Sequence, residues 1–201
     1  MFEASAIIKT AGLMGIFITI FSESGLLFGF FLPGDTLLFA AGIFASQGFF
    51  SITFLIIGAT IAAIVGDSVG YWMGKNVGRN IFAHKSSPLL GISKNHIDRA
   101  ERFYQSHGPV TIVIARFIPV IRTFAPILAG VAHMNYRKFL TYNIIGGVLW
   151  CVSLPLLGYY FGSLIPNPDR FLLPIVSLVM IVSFVPFIIR FIQHLVKKYR
   201  K

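Results

Sequence analysis

The sequence predicts an all-α integral membrane protein: an inverted repeat of a re-entrant (broken) segment plus a transmembrane helix, with flanking N- and C-terminal transmembrane helices. Three observations lead there. The first is composition: of 201 residues, 56% are hydrophobic and only 12% charged, and the mean hydropathy is +0.79. Soluble domains carry about twice that share of charge. The second is an internal repeat. A shift of 88 residues aligns 41–74 with 129–162 without a gap. Identical pairs are Ala41/Ala129, Gly42/Gly130, Thr53/Thr141, Ile56/Ile144, Ile57/Ile145, Gly58/Gly146, Gly70/Gly158, Tyr71/Tyr159 and Gly74/Gly162. That exceeds the roughly three matches expected by chance. The third is the stretch Ala115–Gly130, A-R-F-I-P-V-I-R-T-F-A-P-I-L-A-G, which sets two arginines and two prolines in an apolar run.

Six apolar stretches follow in order: about 11–31, 32–46, 51–74, 109–131, 139–162 and 171–193. A full span needs about 20 apolar residues. The first follows Lys9 and imitates a signal peptide, but Ser-Glu-Ser-Gly gives no small-x-small cleavage pattern, so it reads as an uncleaved first helix. The second is too short to span and opens on F-L-P-G-D at 31–35. The fourth is long enough but holds Arg116, Pro119, Arg122 and Pro126. Proline removes a backbone donor and breaks a straight helix, and non-helical backbone at membrane depth must be buried in protein or line water. These two stretches are therefore expected to be re-entrant; kinked spanning helices are the alternative. Pro33 and Pro119 pair only with a two-residue insertion in the repeat.

The expected organisation is one membrane domain over 1–201. It comprises a first repeat about 27–74, a cytoplasmic interfacial segment about 75–108, a second repeat about 109–162 and a C-terminal helix about 171–193. A re-entrant segment returns to its own side and the next helix crosses once, so the second copy is inverted, as in many transporters. Lys75, Arg79, Lys85, Lys94, Arg99, Arg102, Arg137, Lys138, Lys197, Lys198, Arg200 and Lys201 then share one side. The positive-inside rule makes that side, and both termini, cytoplasmic. Ser93–His107 has helical apolar spacing at Ile97, Ala100, Phe103 and Tyr104 and reads as a helix on the interface. Gly66, Gly70, Gly74 and Gly78 give a small face for close helix crossing.

The formal charge of +10 and pI near 10.1 do not require nucleic acid as a partner, because anionic head groups account for the basic loops. Cys151 has no second cysteine and reads as a small core residue. There is no H-E-x-x-H pattern and no phosphate-binding Walker loop. His84, His96, His107, His133 and His194 show no ligand spacing. No catalytic residue, metal or cofactor is expected, and the chain is read as a non-enzyme.

Five ionisable groups lie within or beside the apolar stretches: Glu23, Asp35, Asp67, Arg116 and Arg122. Isolated charges in lipid are costly, so they should pair or line a wet cavity. On one continuous helix Arg116 and Arg122 would project about 120° apart; a break at Pro119 could aim both at one point. Arginine suits a phosphate because its fork donates two parallel hydrogen bonds and stays charged. The alternative is that the arginines only neutralise Glu23 or Asp35. Those two carboxylates are either proton-coupling groups or fixed counter-ions. Asp67 is a candidate accessory residue or a structural hydrogen-bond partner.

With S-E-S-G at 22–25, F-L-P-G-D at 31–35, G-D-S-V-G-Y-W-M-G at 66–74 and the arginine-proline stretch at 115–130, the chain resembles the DedA family of bacterial inner-membrane proteins, part of the wider VTT (SNARE-associated) group. The resemblance covers roughly 10–195 and places the family's acidic pair on Glu23 and Asp35 and its arginine pair on Arg116 and Arg122. It implies a proton-motive-force-dependent transporter in the inner membrane with two opposed re-entrant segments. Some members are implicated in returning undecaprenyl phosphate, the cell-wall lipid carrier, to the cytoplasmic leaflet and others are linked to small-ion transport. Membership does not decide between them, and the arginine pair favours a polyprenyl phosphate, with membrane lipids and protons as partners and a homo-oligomer left open. Export of small ions or cationic drugs is the second reading, and a non-transporting organiser or non-specific scramblase the third.

Overall fold

The computed structural model describes residues 2–26, 32–78 and 108–164. Among them every regular element is helical: α1 Phe2–Gly25, α2 Gly34–Ser46, α3 Ile52–Met73, α4 Val110–Ala115, α5 Pro119–Val131 and α6 Tyr136–Ser163. A π-helical turn, Gly74–Gly78, extends α3. Among the described residues, two helices are long and apolar enough to cross a membrane, Ile52–Asn76 and Tyr136–Ser163. At 1.5 Å per residue they run about 38 and 42 Å, against a hydrocarbon core near 30 Å. The expected interfacial helix at Ser93–His107 and the expected C-terminal helix at 171–193 lie outside the described residues.

Both long helices are built inside out relative to a water-soluble protein. Along α3, Phe54, Ile57, Ile61, Val65 and Trp72 form an exposed stripe at helical spacing, while Ala59, Ala63, Gly66 and Gly70 face inward. In α6, Ile144, Ile145, Val148, Leu149, Leu156 and Leu157 are exposed, and Gly146, Gly147, Cys151, Gly158 and Gly162 are buried. Large apolar residues outside and small ones inside are how helices pack in lipid, where contact between backbones replaces hydrophobic burial.

The short helices pack across the repeat. Helix α2 lies mainly on α6, and α5 lies on α3 and its π-helical extension. The contacts are backbone to backbone: a Cβ on Gly158 would sit 2.0 Å from the Phe39 carbonyl oxygen, and one on Gly74 would sit 2.0 Å from that of Ile127. Phe39 and Ile127 are repeat equivalents, but Gly158 corresponds to Gly70 and Gly74 to Gly162. The two crossings therefore differ by one helical turn. Around Gly70 the fit is looser, with the nearest atoms 3.5 Å from an added Cβ. The small-face reading thus describes Gly66, which abuts Phe21 and Ser24, and Gly74 most closely.

The fourth apolar stretch is broken where expected. The end of α4 tightens into i→i−3 bonds, from Arg116 N–H to Val113 O, Phe117 N–H to Ile114 O and Ile118 N–H to Ala115 O. Ile118 is extended (φ −114°, ψ 106°), the conformation that a following proline favours. Pro119 then opens α5 at its first turn, where a missing donor costs nothing. Pro126 does not break the chain again; α5 runs through it. The first stretch differs from expectation at its end: α1 closes at Gly25 rather than at 31, and residues 27–31 lie outside those described.

Candidate functional site

Four helices converge on Arg122. It lies on α5 one residue past the first turn, directed inward by the break before Pro119, and is 7% exposed. Its Nη2 donates to Glu23 Oε1, from the last turn of α1. Its Nη1 donates to Asp35 Oδ1 at 2.6 Å, from the first turn of α2. The guanidinium carbon stands 4.5 Å from the ring centroid of Trp150 on α6, and Trp150 Nε1 donates to the same Asp35 oxygen at 2.8 Å. Glu23 is sealed in, whereas the Asp35 side chain is 38% exposed. Asp35 is thus the accessible wall of the site.

Arg116 belongs to a second centre. Its Nη2 donates to Asp67 Oδ2 on α3 and to Asn143 Oδ1 on α6. Asn143 Nδ2 in turn donates to the Ile64 carbonyl at 3.2 Å. Gly146 and Gly147 make room for the arginine: a Cβ on the first would lie 3.0 Å from Arg116 Cδ, and one on the second 3.5 Å from its Cζ. All three polar groups are buried.

The expectation that both guanidinium groups turn to one point is therefore corrected. The break separates them, because α4 carries Arg116 to the crossing of the long helices while α5 carries Arg122 to the ends of α1 and α2. Glu23, Asp35 and Arg122 meet across the repeat; Arg116 pairs with Asp67 instead. Residue reading missed Trp150 and Asn143. An asparagine inside an apolar helix was a usable signal, because a membrane-buried amide needs a partner. Nothing in the sequence marked Trp150.

The formal charges are unequal. Arg116 and Asp67 balance, whereas Arg122 faces two carboxylates, so the outer centre holds one negative charge in excess if all groups are ionised. In a low-dielectric interior an excess charge is expensive, and a single proton removes it. The charge imbalance therefore lies at the Arg122 centre and not at the Arg116 centre.

Comparison with known proteins finds relatives among membrane proteins. The VTT domain family matches residues 32–160. Protein DedA of Escherichia coli (strain K12) is 40% identical over 181 residues, 89% of this chain and 81% of that protein. "Uncharacterized membrane protein Rv0364" of Mycobacterium tuberculosis is 36% identical, covering 80% of this chain and 70% of its own length. "Inner membrane protein YqjA" of Escherichia coli (strain K12) is 33% identical, covering 74% and 66%. No solved structure matches the chain.

Proposed function

The chain belongs to the DedA family of membrane proteins, whose VTT domain it carries, and from the Arg122 centre we infer a proton-coupled membrane transporter that moves a lipid phosphate, a polyprenyl (undecaprenyl) phosphate, across the cytoplasmic membrane. Arg122 is the phosphate-binding group. Both of its terminal nitrogens are already held by carboxylates, the arrangement that a bidentate phosphate would take over. Asp35, half-exposed, leaves first; Glu23 holds the guanidinium in place meanwhile. Arg116, bonded to Asp67 and Asn143 between the long helices, positions the break rather than meeting the substrate.

In this reading α2 and the α4–α5 segment are the two opposed re-entrant elements, the second repeat is inverted, and both termini are cytoplasmic. The head group crosses between the halves while the polyprenyl tail stays in lipid. The observation that carries the reading is one buried arginine shared by two acids, one of them exposed.

The test is transport in vesicles. Purified protein should move labelled polyprenyl phosphate between leaflets in response to a proton gradient. Loss of one charge-assisted bond in Arg122→Lys should slow it at least about tenfold. Lysine variants working at the wild-type rate would rule out bidentate recognition. Gradient collapse on adding small cations, without lipid movement, would favour an ion or drug transporter. Gradient-independent movement of any head group would indicate a scramblase.

A further inference from the structure

The end of α3 and the start of α6 frame a second polar feature that the Arg122 centre does not use. A cavity of about 490 Å³ opens there, walled by Tyr71, Lys75, His133, Asn135, Tyr136 and Arg137. Three of these side chains are basic and none is acidic. The acids Glu23, Asp35 and Asp67 are each paired with Arg122 or Arg116. Lys75 Nζ lies 4.9 Å from the ring centroid of Trp72, which is itself exposed. Tyr71 is fixed by donating its hydroxyl to the Met134 carbonyl and by stacking on Phe139.

Local geometry presents the basic groups outward. Helix α5 ends with His133 N–H donating to Gly130 O and Met134 N–H to Ala129 O, a closure that puts residue 133 in the left-handed region. Glycine is the usual occupant; here histidine takes φ 52°, alone among the described non-glycine residues. Asn135 then caps α6 by accepting from the backbone N–H groups of Arg137 and Lys138, at 3.0 and 3.4 Å. The cap uses backbone donors and leaves the Arg137 guanidinium free to face the cavity. An imidazole donor held in a costly backbone conformation beside two cations is a feature of ligand clamps.

We propose that this cavity binds the phosphate of an anionic phospholipid head group, at a site separate from Arg122. A lipid fits better than a soluble anion for two reasons. The cavity sits at the ends of both membrane-length helices, beside tryptophan and tyrosine, where head groups lie. From Trp72 the exposed stripe of Val65, Ile61 and Ile57 leads down α3 and gives the acyl chains an apolar track.

Tryptophan quenching tests it. The chain has two tryptophans, so Trp150→Phe leaves Trp72 as the reporter. In phosphatidylcholine nanodiscs containing brominated phosphatidylglycerol, Trp72 should be quenched several-fold more than with brominated phosphatidylcholine. Arg137→Gln, which removes a charge-assisted hydrogen bond to the phosphate, should weaken that preference about tenfold, and His133→Gly, which suits the backbone, should also weaken it. Lys138→Gln, an adjacent exposed residue outside the cavity wall, removes the same charge and should leave the preference in place. Adding Arg122→Gln should leave it too, so failure here is distinguishable from failure of the transport reading. Equal loss in Arg137→Gln and Lys138→Gln would mean diffuse surface charge and would overturn the site. Loss on Arg122→Gln, equal quenching by both lipids, or displacement by inorganic phosphate at the lipid's own concentration would overturn it as well.

Discussion

Gly34 lies directly against the carboxylate of Glu23: a Cβ on Gly34 would sit 1.6 Å from Oε2. The Pro-Gly-Asp turn that opens α2 thus does two things at once. It starts a helix, and it leaves the space in which the acid of α1 reaches Arg122.

Replacing Gly34 by alanine should expel Glu23 and leave Arg122 half-paired. Breaking a buried pair costs about 3–5 kcal/mol, so thermal unfolding in detergent should shift clearly downward. In a Glu23→Ala background, where the obstructing carboxylate is gone, the added cost of Gly34→Ala should shrink to a small fraction. Full additivity of the two changes would show that the glycine acts elsewhere.

The two arginines should respond differently to lysine. Arg116 makes both of its bonds through one nitrogen, Nη2, and an ammonium can donate to Asp67 and Asn143 in the same way. Arg122 uses Nη1 and Nη2 for separate acids while its guanidinium carbon stands over the Trp150 ring, which lysine cannot reproduce. Arg116→Lys should keep most stability and transport, and Arg122→Lys should lose transport about tenfold or more. Equal impairment in the vesicle assay would contradict the division of roles.

Proton coupling has a defined sign. If the phosphate displaces carboxylates that then take up one proton, lipid binding must tighten as pH falls, by about tenfold per unit. Glu23→Gln and Asp35→Asn remove the excess charge permanently, so each should bind the lipid phosphate with a flat pH profile. A variant whose transport keeps the wild-type pH dependence would reduce that acid to a structural counter-ion.

Repeat-equivalent glycines should differ in tolerance. Gly158→Ala forces a Cβ against the Phe39 backbone, so α2 must move away from α6, with Asp35 leaving Trp150. A loss of about 1–3 kcal/mol is expected from such overpacking. Gly70→Ala meets side-chain atoms at 3.5 Å and the Ser24 carbonyl oxygen at 3.6 Å, all ordinary contacts, and should be nearly neutral. Comparable melting shifts for the two variants would mean that the halves pack in the same register.

The chain's local chemistry was enough to place most of the described helices. Exposed apolar stripes come from hydropathy, and the break at Ile118–Pro119 from proline sterics. It also named the four buried charges of the described residues, Glu23, Asp67, Arg116 and Arg122, together with half-exposed Asp35, because a charge in an apolar run has to find a partner. What it left open was the pairing. Whether Arg116 joins Glu23, Asp35 or Asp67 depends on how α4 and α5 diverge after the break, and on a one-turn difference between two near-equivalent crossings. Those are relations between backbones distant in sequence, set by which glycines let them touch. Trp150 enters the Arg122 centre for the same reason: its place on α6 is ordinary in sequence and becomes a wall of the site only once α2 has docked. Sequence determined which groups must be neutralised inside the membrane, and tertiary packing decided which group neutralises which.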